Sequence, residues 1–202
     1  GSEMCIRDRY NVAVGAQTGQ KVTTGVYNTF VGGLAGFEST SGDRNVAVGL
    51  QALDKNQAGN KNIAIGVNAL RMYNPGSDTD SYNIGIGDEA GAAITTGYQN
   101  VLIGGKAGDA MNTGLQNTAL GYDALGALTT GFGNVALGRE ALKSLSGATN
   151  YVVGIGRGAG MMATTSDNCI WIGGNSGPQA SGTNSGNNNI CLLYTSPSPR
   201  DS

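Results

Sequence analysis

The chain has no histidine and few charged or aromatic residues, and each deficit argues against a class of function. Of its 202 residues, 13% are charged and 6% aromatic, and the formal net charge of −2 gives no basic patch for nucleic-acid phosphates. Without histidine the chain lacks the commonest general base and transition-metal ligand. No apolar run approaches the roughly 20 residues of a membrane-spanning helix. We therefore expect no nucleic-acid partner, no membrane insertion of this segment and no cofactor.

Both ends of the chain resemble translated adapter DNA rather than natural protein. Residues 1–9 read GSEMCIRDR and residues 191–202 read CLLYTSPSPRDS. One transposon-type sequencing adapter encodes the first string, and its reverse complement encodes most of the second in another frame. We therefore expect residues 10–190 to be a single repeat domain, an internal fragment of a longer chain, with Cys169 as its one native cysteine and no intrachain disulfide.

A 17-residue repeat fills residues 10–190, and eight units open with the pattern Asn-x-x-aliphatic-Gly. Two looser copies, VVGIG and CIWIG, end at Gly156 and Gly173. The asparagines are Asn11, Asn28, Asn45, Asn62, Asn83, Asn100, Asn117 and Asn134. The closing glycines are Gly15, Gly32, Gly49, Gly66, Gly87, Gly104, Gly121, Gly138, Gly156 and Gly173. Their spacing is 17 residues, except for 21 after Gly66 and 18 after Gly138. We take these asparagines and glycines as the structural residues of the repeat.

The repeat predicts an all-β fold, a parallel β-solenoid of about ten coils. NVAVG alternates with the period of a strand, and its β-branched residues suit a pleated surface. Two glycines in each unit break a helix. The glycine after the strand allows a positive φ or a tight bend, and the second glycine is expected to do the same at the other corner. Each coil is then a strand, a turn, a second short strand and a second turn, stacked on its neighbours.

Two features of the coil remain open between alternatives. The asparagine either forms a ladder of side-chain amides between coils or is a turn residue at the entry of the strand. The two aliphatic residues of NVAVG are expected to face inward and the middle residue outward, which puts Ala13, Ala47, Ala64, Ala119 and Ala136 on the surface. Such a small apolar stripe indicates self-association, most simply a homotrimer, or else tolerated surface alanines.

The repeat resembles the YadA-like head of trimeric autotransporter adhesins, whose strand motif is close to S-V-A-I-G. NVAVG, NIAIG and NVALG match that motif, and TTG between units is similar to phage and bacterial tail-fibre repeats. The resemblance covers essentially all of residues 10–190. It implies a left-handed β-roll, three chains side by side, and a cell-surface or virion fibre that binds a host protein or glycan without catalytic residues. The family's usual coil is shorter than 17 residues.

Four other patterns are weaker candidates for a site. GIGDEAG from Gly85 and GIGRGAG from Gly154 partly mimic a dinucleotide fingerprint, but they coincide with the repeat. Four extra residues lie between Gly66 and Gly87, within the segment RMYNPGSDTDSY, and Asp78 and Asp80 of that segment either bind Ca²⁺ or belong to a solvated loop. Two further groups of residues, the aromatics and the carboxylates, show no spacing typical of a site. The aromatics are Tyr27, Phe37, Tyr98, Tyr122, Phe132, Tyr151 and Trp171, expected to be exposed without a continuous stripe. The carboxylates are Glu38, Asp43, Asp54, Asp88, Glu89, Asp109, Asp123 and Glu140.

The leading hypothesis is a non-catalytic, adhesive segment of a trimeric fibre that presents its binding surface multivalently. The alternative is an ice-binding or other flat-surface-binding solenoid, because Thr23-Thr24, Thr95-Thr96 and Thr129-Thr130 recur at one place in the unit. A polysaccharide-degrading β-helix enzyme is a remote third hypothesis, since no large insertion builds a cleft between two carboxylates.

Overall fold

The strands of the computed structural model stack as the coils of a parallel β-solenoid, and the residues it describes, 4–7, 9–178 and 186–193, contain no helix. The strands are β1 Met4–Arg7, β2 Asn11–Val14, β3 Thr29–Val31, β4 Val46–Val48, β5 Gly59–Asn60, β6 Ile63–Ile65, β7 Thr79–Asp80, β8 Ile84–Ile86, β9 Val101–Ile103, β10 Thr118–Leu120, β11 Val135–Leu137, β12 Val153–Ile155, β13 Ile170–Ile172 and β14 Ile190–Leu192. Twelve of them form one sheet. The predicted all-β solenoid of about ten coils is confirmed.

Equivalent residues of successive coils lie in register. Ala47 pairs with Ala64, and Val48 with Ile65, in parallel strands, and the same alignment runs from β2 to β14. The strand β1 is different, because it pairs antiparallel with β2. Residues 1–3, 8 and 194–202 of the two predicted adapter segments lie outside the described residues. The adapter origin of both ends stays a prediction.

The positions of a coil are numbered here from its first residue. Coils 1 to 10 begin at residues 11, 28, 45, 62, 83, 100, 117, 134, 152 and 169. Positions 2 to 4 form the strand, and position 5 is the closing glycine. Coil 4 contains four extra residues and coil 8 one.

The expected second strand is wrong for most coils. Only β5 and β7 pair as a second short sheet, and isolated bridges such as Leu115 to Phe132 mark the same edge elsewhere in the described chain. Stacked turns take its place, because backbone N–H groups donate to the next coil, as Thr23 does to the carbonyl of Thr40 at 2.9 Å. The backbone is therefore satisfied between coils without a regular second strand.

The strand faces the opposite way from the prediction. The middle residues Ala47, Ala64, Ala119 and Ala136 are fully buried, whereas the flanking aliphatic residues are partly or well exposed. Only Ala13, in the first coil, is half-buried. Period-two alternation shows that the two faces differ but does not say which one is inside. The outward alanine stripe is thus replaced by an outward stripe of valine, isoleucine and leucine.

The core is narrow, and side-chain volume alternates between positions 3 and 9. A large residue at position 3 faces glycine at position 9, as in Phe30 with Gly36, Leu102 with Gly108 and Trp171 with Gly177. Alanine at position 3 faces leucine at position 9, as in Ala47 with Leu53, Ala64 with Leu70, Ala119 with Leu125 and Ala136 with Leu142. Each of these coils therefore holds one large side chain across this layer, which keeps the packing dense.

Close approach of the backbones explains the glycine at position 5. Gly32 has a φ of +125°, and a Cβ there would lie 2.6 Å from the carbonyl oxygen of Gly49 in the next coil. The positive-φ alternative does not hold for the second glycine, because Gly42 is not among the positive-φ residues. Its Cβ would instead meet the carbonyl oxygen of Gly59 at 2.7 Å. Non-glycine residues take the positive φ at that corner, as Tyr27 does at position 17.

Candidate functional site

The repeat asparagines form a buried ladder along the solenoid. Oδ1 of Asn28 accepts the backbone N–H of Asn45 at 2.9 Å, and its Nδ2 donates to the carbonyl of Gly42 at 2.8 Å. The eight asparagines are at most 5% exposed. Each one also stands at the entry of a strand, so both sequence interpretations describe part of its role. The ladder pairs backbone groups that would otherwise be buried without partners.

Two later coils replace the ladder asparagine. The N–H of Val152 still donates to Oδ1 of Asn134 at 3.0 Å, but the valine side chain has no hydrogen-bonding group for the next coil. Cys169 follows at the same position, and its Sγ donates to the carbonyl of Gly186 at 3.3 Å. The N–H of Asn189 donates to that sulfur at 3.5 Å. The buried thiol thus occupies the place of an amide, and both Cys169 and Cys191 are free.

Positions 2 and 4 of coils 1 to 10 form an aliphatic stripe on the outside of the sheet. Its members are Val12, Val14, Thr29, Val31, Val46, Val48, Ile63, Ile65, Ile84, Ile86, Val101, Ile103, Thr118, Leu120, Val135, Leu137, Val153, Ile155, Ile170 and Ile172. None carries a charge. Ten coils at strand spacing make this stripe roughly 50 Å long. A continuous apolar surface of this kind is typical of a protein interface.

Further apolar side chains flank the stripe on both sides. Position 17 carries four exposed tyrosines, and the rings of the first two, Tyr10 and Tyr27, stack 5.0 Å apart. The others at this position are Tyr82 and Tyr151. Position 6 carries Leu50, Val67 and Tyr122, which are also exposed. Arg44, Lys61, Gln99, Gln116 and Gly133 interrupt the tyrosines at position 17, so the aromatics form no continuous stripe, as the sequence predicts. Trp171 is not exposed, because its ring is buried in the core.

The extra loop of coil 4 has the geometry of a solvated loop rather than a cation site. Asp80 forms an ion pair with Lys61, and Asp78 accepts a hydrogen bond from Asn60. The ammonium of Lys61 lowers the pKa of the Asp80 carboxyl. No group of three metal-ligating side chains is present in the described ranges. Buried Tyr73 packs beneath the loop and hydrogen-bonds Ser81.

A shallow polar groove crosses coils 4 to 8 at positions 7, 10 and 11, and we call it the corner groove. It consists of two adjoining depressions of about 320 and 420 Å³. Asn68, Arg71, Met72, Glu89, Ala92, Ala93 and Asp109 line the first. Lys106, Asp109, Tyr122, Asp123, Gly126, Ala127, Lys143 and Ser144 line the second. Asp109 belongs to both depressions and separates them.

The groups in the corner groove differ in how they are paired. Nζ of Lys143 lies 2.8 Å from Oδ2 of Asp123, and Nζ of Lys106 lies 3.6 Å from Oε2 of Glu89. Asp109 has no ion pair within the described chain, and burial, with a smaller contribution from Asp123, raises the pKa of its carboxyl. Nε of Arg71 and Oδ1 of Asn68 are buried without a hydrogen-bond partner in the same region. The groove thus contains both a donor and an acceptor whose bonding capacity is unused.

The remaining sequence candidates have structural surroundings of their own. The glycines of GIGDEAG lie in β8 and the turn after it, where Gly85 and Gly91 leave room for the leucines of neighbouring coils. Asp43 and Asp54 are engaged locally, since Asp43 accepts the N–H of Val26 at 2.8 Å and Asp54 lies 3.5 Å from Lys55. The corner groove could not be recognised from single motifs. Its one sequence signal is that positions 10 and 11 of coils 5 to 7 hold alanine or glycine, except for Asp109.

Comparison with known proteins adds no relative. No family model, curated protein or solved structure matches the chain. Among the residues that the structure describes, there is no helix of the length and hydrophobicity needed to cross a membrane.

Proposed function

We propose that the chain is a non-catalytic, adhesive segment of a fibre displayed on a cell surface or a phage tail, in which three copies associate through the aliphatic stripe. The observation that carries the proposal is the stripe itself. It exposes two columns of valine, isoleucine and leucine over ten coils, with threonine at only two of the twenty positions. Left in water, such a sheet face promotes aggregation, so a partner surface is expected to cover it.

Exposed apolar residues on both flanks of the stripe favour three copies over two. In a three-fold arrangement the stripe lies along the common axis, and each chain contacts a neighbour on either side. Position 17 supplies tyrosines on one flank, and position 6 supplies Leu50 and Val67 on the other. Position 6 also carries charged residues in later coils, namely Asp88, Arg139 and Arg157. A closed ring uses both flanks, and it leaves the corner groove and the coil 4 loop outside.

The rigid scaffold and the repeated surface suit multivalent binding. Three chains carry three copies of each exposed feature, so that weak single contacts add in avidity. The resemblance of the strand motif to YadA-like heads and tail-fibre repeats supports the same function, with a host protein or glycan as the partner. The corner groove is shallow, which favours a binding role over a catalytic one.

Electron microscopy of the negatively stained chain tests the proposed assembly. We expect rods roughly 50 Å long whose end views show three lobes around a closed centre. Single thin rods without three-fold end views would overturn the trimeric fibre.

The flat-surface alternative rests on threonine and serine at position 14. The exposed members of this row are Thr24, Ser41, Thr96, Thr113, Thr130 and Thr165. Ala58, Pro75 and Gly147 interrupt the row, and the neighbouring hydroxyls of Thr23 and Thr40 already donate to carbonyls of the next coil at 3.0 Å. Thermal hysteresis of the freezing point would favour this alternative over adhesion.

A further inference from the structure

We propose that the corner groove binds a neutral oligosaccharide laid along the solenoid axis. The proposal rests on the adhesive function above and assigns its ligand class and its site. The groove arises because the side chains at positions 10 and 11 differ in size from one coil to the next. They hold Arg71 and Met72 in coil 4, only Ala92 and Ala93 in coil 5, and Lys143 in coil 8. Small side chains therefore form the floor of the groove, and long side chains close it at each end.

The length of the groove suits a chain molecule rather than a single small ligand. Coil 4 and coil 8 are four strand spacings apart, which is roughly 19 Å. The two depressions meet at Asp109, so a ligand that extends through both must pass its carboxylate. A linear ligand would therefore contact the same carboxylate from two adjoining subsites.

The charges that line the groove balance, which favours a neutral ligand. Three basic residues, Arg71, Lys106 and Lys143, line it together with three acidic ones, Glu89, Asp109 and Asp123. A polyanion or a polycation would meet repulsion from half of these groups. Sugar hydroxyl groups both donate and accept hydrogen bonds, so they can use acidic and basic side chains alike.

The polar atoms of the groove that have no hydrogen-bond partner also suit sugar hydroxyl groups. Arg71 and Asn68 both line the first depression, and Nε of Arg71 and Oδ1 of Asn68 are buried there without a hydrogen-bond partner in the described chain. A small rotation of either side chain on ligand binding would give these atoms sugar hydroxyls as partners. The methyl groups of the alanine floor and the exposed ring of Tyr122 provide apolar surface for the C–H faces of sugar rings. A peptide fits less well, because the backbone N–H groups at this corner already donate to neighbouring coils, as Leu70 does to Ala90 at 3.0 Å.

Titration of the full chain with neutral hexasaccharides tests the proposal. The probes are the α-linked glucose hexamer, the β-linked glucose hexamer and the β-linked N-acetylglucosamine hexamer, with a heparin hexasaccharide as the anionic comparison. Isothermal calorimetry is expected to show saturable binding of at least one neutral probe. Ala127→Arg, which fills the groove, and Asp109→Asn, which removes the shared charge, are each expected to weaken that binding about tenfold or more. Ala148→Arg, in an exposed turn of coil 8, is the matched control and should leave binding unchanged.

The wild-type chain provides a second measurement that does not depend on the variants folding. Alanine methyl resonances of Ala92, Ala93 and Ala127 are expected to shift on addition of the bound sugar, whereas the methyl of Ala148 is not. Failure of all three neutral probes to bind, binding of heparin alone, or binding that leaves these methyl groups unaffected would each overturn the proposal. The mass of the chain in solution is measured in the same samples. A trimer without sugar binding would refute this inference alone, whereas a monomer would refute the proposed fibre.

Discussion

The ring of Phe30 fills the space in the core that a side chain at residue 36 would otherwise occupy, and the facing residue is Gly36. A Cβ on Gly36 would lie 2.7 Å from Cζ of the Phe30 ring, so the ring fits only because the facing residue has no side chain. Other coils solve the same problem in reverse, with Ala47 facing Leu53. Where one of these two residues is large, the narrow coil therefore leaves room only for a small residue at the facing position. Gly85 with Gly91 carries no large side chain at either position, and Leu70 of the neighbouring coil occupies that space.

This relationship predicts a compensating pair of substitutions. Phe30→Ala should lower the free energy of unfolding by about 3–5 kcal/mol, because it leaves a cavity in a fully buried layer. Adding Gly36→Leu to Phe30→Ala should recover much of that loss, since it recreates the arrangement of Ala47 and Leu53. Gly36→Leu alone should destabilise the chain by overpacking. Chemical denaturation of the three variants measures these effects, and strictly additive losses would contradict the volume rule.

The asparagine ladder predicts a large cost for an apolar substitution. Asn100→Leu removes the acceptor of the Asn117 N–H at 3.0 Å and the donor to the Gly114 carbonyl at 2.8 Å. Both backbone groups are then buried without partners, so we expect a loss of about 2–5 kcal/mol in unfolding free energy. Gln116→Leu, in the same coil, is the control. Its amide donates to Gln99 of the preceding coil, but it is exposed, and its loss should cost less than about 1 kcal/mol.

Positive φ angles at non-glycine residues predict a stabilising substitution. Gln51 has a φ of +56°, which L-residues adopt at a cost and glycine does not. Gln51→Gly should raise unfolding free energy by roughly 0.5–1 kcal/mol after allowance for the entropy of glycine in the unfolded chain. Calorimetry should then show a melting temperature about 1–4 °C higher. Gln20→Gly, at a position without positive φ, should lower it instead.

The two carboxyls Asp109 and Glu38 should contribute to pH-dependent stability with opposite signs. Burial raises the pKa of Asp109, so the folded state binds its proton more tightly than the unfolded state does, and stability rises as pH falls through that range. Asp109→Asn should therefore stabilise the chain at pH 7 by up to about 1 kcal/mol. That advantage should disappear in acid.

A hydrogen bond from Lys55 lowers the pKa of Glu38, so its contribution is present at pH 7 and lost as pH falls below the pKa of the unfolded state. Glu38→Gln should cost about 0.5 kcal/mol at pH 7 and nothing in acid. Denaturation of both variants and the wild type between pH 3 and pH 7, a range set by ordinary carboxyl pKa values, measures this contrast. The same sign of change in both would contradict the assigned environments.

The sequence was sufficient for the coil but not for its orientation. The constant spacing of asparagine and glycine predicts parallel stacking, because only a coil of fixed length returns equivalent residues to the same register. Alternation in NVAVG does not reveal which face is buried, and the assumption that the larger residues lie inside was wrong. The signal that identifies the inner face is the size exchange between positions 3 and 9, seen when Phe30 and Gly36 are compared with Ala47 and Leu53.

The corner groove depends on contacts between coils that no single motif contains. Arg71, Asp109 and Lys143 are separated by dozens of residues in the chain, and they line one surface only because positions 7, 10 and 11 stack. A comparison of the residues at these positions from one coil to the next predicts a depression where the side chains are small. The orphaned Nε of Arg71 and the raised pKa of Asp109 require the three-dimensional arrangement.

Light scattering coupled to size-exclusion chromatography tests the central claim most directly, that the aliphatic stripe joins three copies. We expect a mass three times the 20.4 kDa of one chain. The stripe variant Val101→Lys/Ile103→Lys should yield monomers, because buried unpaired charges oppose association. Thr113→Lys/Thr130→Lys, on the exposed row at position 14, should remain trimeric. A folded wild-type monomer, or a trimer that persists in the stripe variant, would contradict the account.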